Sequence, residues 1–173
     1  MLKPPALLKP PALLKRRLVC MLYEAMLVFG VVFIAGWVFD TLTESRHALT
    51  LRHTRQFWLF IVIGAYFLYC WMRGGQTLAM KTWHIKLEAP GADSVSFPKA
   101  ALRYLLTWMW FLPAMALNFA LGLKGWESIG VLAAGMCLWA LTAKLDKDGQ
   151  FLHDKLAGTR LISLTQSKIL SAK

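Results

Sequence analysis

Leu18-Val-Cys-Met-Leu-Tyr-Glu-Ala-Met-Leu-Val-Phe-Gly-Val-Val-Phe-Ile-Ala-Gly-Trp-Val-Phe-Asp-Thr-Leu42 decides the fold class of this chain. Twenty-five residues pass with two acids, Glu24 and Asp40, and no proline. As a helix rising about 1.5 Å per residue, the stretch exceeds the roughly 30 Å of hydrocarbon in a bilayer. Three further stretches are nearly free of charge, at residues 57–72, 104–123 and 125–143. With 18–42 they predict an all-α polytopic membrane protein with four transmembrane helices. Trp58 and Trp71 flank the second span and Trp126 and Trp139 the fourth, where interfacial aromatics belong.

Composition leads to the same class, since 57% apolar against 17% charged residues is too apolar for a water-soluble chain of 173 residues. The net charge of +11 is distributed unevenly. Four spans place the N-terminal arm (1–17), the connector between spans two and three, and the region after span four on one face, and these hold 16 of the 20 Lys and Arg residues. Arg46, Arg52, Arg55 and Lys124 fall on the other. By the positive-inside rule both termini are cytoplasmic. Basic loops beside apolar spans match anionic lipid headgroups, so membrane lipids and not nucleic acid are the expected charged partners. The first apolar run is too long for a signal-peptide core and lacks a small-residue cleavage site, so it is expected to stay as an anchor.

The arm opens with Lys3-Pro-Pro-Ala-Leu-Leu8 repeated as Lys9-Pro-Pro-Ala-Leu-Leu14, a low-complexity segment whose prolines favour polyproline II over helix. In the connector, Thr82 to Glu88 alternates apolar and polar residues, Ala89-Pro-Gly-Ala-Asp93 breaks the pattern and Ser94 to Phe97 resumes it. This predicts a small cytoplasmic β-hairpin, with Thr159 to Leu164 as a third candidate strand. Pro98 then opens the helix leading into span three. No broken helix or inverted repeat is apparent within the spans.

Cys20, Cys70 and Cys137 are scattered through apolar spans without a paired spacing, so buried thiols are expected and no disulfide or metal site. His47 and His53 are too sparse for a zinc site. Phosphate-binding glycine loops, nucleophile elbows and zinc-protease motifs do not occur. No catalytic residue, cofactor or enzymatic activity is expected.

Polar residues at costly depth are the remaining signal. Glu24 follows Arg17 by seven positions, which puts the two within about 20° on one helix face and about 10.5 Å apart along its axis. A mutual salt bridge is disfavoured by that separation. Glu24 either meets a cation from another element or lies hydrated at headgroup level. A second group surrounds the membrane exits: Arg73-Gly-Gly-Gln-Thr-Leu-Ala-Met-Lys81 and Leu152-His-Asp-Lys-Leu-Ala-Gly-Thr159.

These stretches resemble the RDD family of bacterial membrane proteins, over roughly Lys15 to Leu164. The marks are Gly75, Gln76, Thr77 and Leu78 with the following Lys81, and the ending His153 to Thr159. The family is named for one Arg and two Asp residues. The resemblance assigns the first pair to Arg17 and Glu24, a Glu standing in the Asp position, and the second Asp to Asp154, with Asp146 as the rival. It implies a membrane domain over 18–164, with 165–173 a cytoplasmic tail, and a location in the bacterial plasma (inner) membrane. The site residues expected to gather are Arg17, Glu24, His153, Asp154 and Lys155. Two roles stay open: a scaffold or assembly partner, acting as a homo-oligomer or with another membrane protein, and transport of small cations in exchange for protons at Glu24.

Overall fold

The computed structural model describes residues 11–44, 51–92, 94–145 and 150–164. Helix α1 (Leu14–Thr43) starts three residues after Pro11, the last proline of the arm, and runs thirty residues to Glu44, whose φ of 48° ends it. It takes in Lys15, Arg16 and Arg17, so these charges extend the first span instead of preceding it. The remaining elements are α2 (Arg52–Gly74), α3 (Leu78–Thr82), β1 (Ile85–Glu88), α4 (Phe97–Thr107), a 3-10 turn (Trp108–Trp110), α5 (Leu112–Leu121), α6 (Trp126–Leu145), α7 (Leu152–Leu156) and β2 (Arg160–Ser163).

Helices α1 and α2 and the composite Phe97–Leu121 are long and apolar enough to cross a bilayer, while α6 contributes a shorter apolar run, Trp126–Thr142. Large side chains on α1 stand bare: Phe29 and Phe33 are 72% and 70% exposed. In water such surface would be a liability, whereas lipid accepts it. Opposite them, Ala35 and Phe39 face α2, where the Trp58 indole donates to the Ala35 carbonyl at 2.9 Å. Arg55 of α2 pairs with Asp40 of α1 and covers the Phe39 ring, so the charges near the α1–α2 connection neutralise each other. At the α5–α6 contact a Cβ on Gly135 would stand 2.8 Å from the Ala114 Cβ, a separation only glycine permits.

The third span is broken, contrary to the expectation of uninterrupted helices. Pro113 lacks the N–H that would continue the ladder, and Trp108–Trp110 tightens into a 3-10 turn before α5 restarts at Leu112. Non-helical backbone at membrane depth is tolerated where protein or a cavity surrounds it.

The small sheet expected beside the spans is present, but its second strand comes from the distant tail and not from the local return. β1 pairs antiparallel with β2, Ile85 opposite Ser163 and Glu88 opposite Arg160. Val95 is instead buried and Ser96 precedes α4, because Pro98 at the second helical position commits this stretch to a helix start. Trp83 and His84 form the turn before β1 and are not part of it. On the other side of β2, Pro11 bridges Ile162 and the Ala12 amide donates to the Leu161 carbonyl at 3.2 Å. Arm, connector and tail thus meet in one place. Ile85, Leu87, Ala79 and Ala100, each at most 1% exposed, form a compact core there, unlike the sparsely covered spans. The arm repeat up to Pro10, Asp146 and the tail from 165 lie outside the described residues.

Candidate functional site

Gly75 closes α2 in the left-handed conformation, φ 67°, its amide donating to the Trp71 carbonyl at 3.0 Å. Its own carbonyl accepts from Leu87 at 2.8 Å, and the Gln76 amide donates to the Ile85 carbonyl at 2.7 Å. The end of span two is thereby laced to β1. Thr77 caps α3, accepting from the Met80 amide at 3.2 Å, and its hydroxyl donates to Glu24 Oε2. Tyr66 donates to the other carboxylate oxygen at 2.7 Å. Glu24 therefore holds two neutral donors, and among the described residues it makes no ion pair. Lys81 lies on the exposed side of α3.

The ending around α7 is built on a fully buried acid. Arg103 of α4 pairs with Asp154 Oδ1 and donates to the Thr159 hydroxyl at 3.2 Å. Its guanidinium lies 5.0 Å from the Trp71 ring centre. His153 Nε2 is 3.2 Å from the same Asp154 oxygen, while its Nδ1 accepts from the Trp139 indole at 3.4 Å, an arrangement that suits a neutral imidazole with its proton on Nε2. Burial alone would raise the Asp154 carboxyl. The Arg103 charge and the His153 contact outweigh it and hold the group down at about 2. The Thr159 amide closes the turn on the Asp154 carbonyl at 2.9 Å.

Arg17 is 1% exposed, donates to the Leu161 carbonyl at 3.4 Å and lies 5.7 Å from the Phe151 ring centre, which stacks on His153. Gln150 presents its amide to Leu161 like another strand, accepting from the Leu161 amide at 3.1 Å. Lys155 sits on the exposed side of α7.

Arg17, Glu24, Thr77, Arg103 and His153 all border one cavity of about 330 Å³ between α1, α2 and the broken third span. The sharing of a helix face by Arg17 and Glu24, expected from their spacing, places both on its wall. Of the expected residues, Glu24 joins Tyr66 and Thr77, and His153 and Asp154 join Arg103 and Thr159, while Arg17 bonds the Leu161 carbonyl. Arg103 and Tyr66 were not anticipated as members. Arg103 had a legible signal, since a lone Arg leading into an apolar span requires a partner; Tyr66 looks like any interfacial aromatic.

The RDD family model matches residues 11–158. The chain belongs to the RDD family. No curated protein and no solved structure matches it. RDD proteins are membrane proteins, in agreement with the apolar helices described above. Within this RDD domain the acid of the His153–Thr159 ending meets Arg103 and not Arg17.

Proposed function

We propose that this RDD protein is a small scaffold or assembly partner of the bacterial inner membrane, not an enzyme, with both termini cytoplasmic. The observation that carries the reading is the buried Arg103–Asp154 pair, which spends its charges on fastening a span to the cytoplasmic ending. Together with the β1–β2 sheet it makes a rigid cytoplasmic cap, and the bare apolar faces of α1 suit a second copy or another membrane protein. Anionic headgroups are the lipid partners suggested by the basic inner face, and nucleic acid is not a partner.

A second reading, small-cation transport in exchange for protons, is favoured by one observation: Glu24 borders the cavity without an ion pair among the described residues. Protein reconstituted in liposomes with an entrapped pH-sensitive dye separates the two. Sodium, potassium and lithium gradients are expected to produce no proton flux, while cross-linking in native membranes yields a defined adduct. Cation-dependent flux that disappears in Glu24→Gln overturns the scaffold in favour of transport.

The orientation is tested independently. In a background without native Cys, cysteines at positions 47 and 124 are expected to react with an impermeant maleimide in intact cells, and those at 9 and 168 to be protected. Protection of 124 together with labelling of 168 inverts the topology.

A further inference from the structure

We infer that the cavity between α1, α2 and the broken third span is a binding site for a lipophilic organic cation, an ammonium carried on an apolar body, with Glu24 as its counter-ion. This goes beyond the scaffold reading and does not depend on it. Three features of its lining lead to it. The first is the unpaired acid: Tyr66 and Thr77 orient the Glu24 carboxylate as neutral donors, and among the described residues no cation forms an ion pair with it, a costly state for a carboxylate beside apolar walls.

Aromatic faces are the second. Phe67, Tyr104, Trp108, Trp110 and Phe111 line the same space, and aromatic rings attract cations through the negative face of the π-system. The 3-10 turn at Trp108–Trp110 supplies two of them, which gives the break in the third span a structural consequence.

The third feature is the state of the two arginines. Arg103 is neutralised by Asp154, and Arg17 lies about 10.5 Å from Glu24 along α1, over Phe151 and on the Leu161 carbonyl. Among the described residues neither guanidinium is paired with Glu24, and each is held by other groups. An inorganic ion suits the place poorly: among the described residues no group of three or more acidic, His or Cys side chains gathers to replace its hydration shell. A weakly hydrated ammonium requires no such shell, and its apolar body fits Val28, Ile63 and Phe67.

Equilibrium binding of radiolabelled benzyltrimethylammonium to the protein in nanodiscs of zwitterionic lipid tests the site, with empty nanodiscs as blank. Saturable binding is expected, displaced by other aromatic ammonium ions but not by the uncharged isostere neopentylbenzene nor by benzylsulfonate. Glu24→Gln, which keeps the shape and can bond both neighbours once one hydroxyl turns to accept from the amide NH2, is expected to weaken binding about tenfold or more, as loss of roughly 1.4 kcal/mol does, and Trp108→Leu severalfold. Equal competition by neopentylbenzene would show an apolar cavity without charge selectivity and overturn the proposal. Preference for the sulfonate would overturn it in favour of the Arg17 end. Unchanged affinity in Glu24→Gln overturns the assignment of the counter-ion, and should that variant fail to fold, the probe series on the unaltered protein decides alone.

Discussion

Asp154→Ala is expected to cost about 3–5 kcal/mol of stability and most of the folded yield, because it strands the Arg103 guanidinium in a buried site without its partner charge. Thermal unfolding in detergent and monodisperse yield measure the loss. Restoring an apolar match in Arg103→Leu with Asp154→Leu should recover much of it, since removing both charges removes the desolvation cost as well. The pair is therefore strongly non-additive. Glu24→Gln with Asp154→Ala should instead be additive, because Glu24 bonds Tyr66 and Thr77 while Asp154 bonds Arg103. The pH profile gives an independent check. The folded carboxyl, held at about 2, lies below its ordinary value of 3.8. Such a group contributes its full stabilisation above about pH 4 and loses it as pH falls toward 2, a change of about 2 kcal/mol. Asp154→Asn should flatten that part of the profile; an unchanged acid limb would mean that another carboxylate dominates.

How much of this architecture is legible in the sequence depends on how far apart the cooperating residues are. The spans are local features: charge-free runs and flanking Trp residues announce them, and the described helices cover each of the four, with ends moved by a few residues. Pro113 was a local signal too, but Trp108 to Leu112 is so apolar that the break hides within an otherwise continuous run. Strand pairing is not local. Thr82–Glu88 carries the period-two pattern, yet nothing in it selects Arg160–Ser163 over the adjacent Ser94–Phe97. The choice follows from Pro98 starting α4 and from Ile85 and Leu87 packing with Leu161 in one core. Glu24 and Thr77, 53 positions apart, and Arg103 and Asp154, 51 apart, are likewise joined only by the fold. The sequence marks these residues as costly, and the structure distributes them between two networks, both of which reach one cavity.

The two adjacent glycines at the end of α2 should respond to the same substitution with opposite signs. Gly75 has φ 67°, and a Cβ there would lie 2.5 Å from the Leu87 carbonyl oxygen. An L-residue must accept both the left-handed conformation and a displaced β1, together about 3 kcal/mol. Gly74 is the last residue of the helix, and nothing lies within 4 Å of a Cβ added to it. Gly74→Ala therefore removes backbone freedom from the unfolded chain at no steric cost and should stabilise by a few tenths to about 1 kcal/mol. Hydrogen exchange locates the damage in Gly75→Ala: the Leu87 amide, which donates to the Gly75 carbonyl at 2.8 Å, should lose protection first. Its neighbours in β1 should follow, because the strand is held on one side by this turn and on the other by the tail. Amides in the middle of α1, bound within their own helix and facing lipid, should exchange as before. Equal loss of protection in α1 would show that the β1–β2 sheet and the spans unfold as one unit, so that the sheet supports the helices as much as they support it.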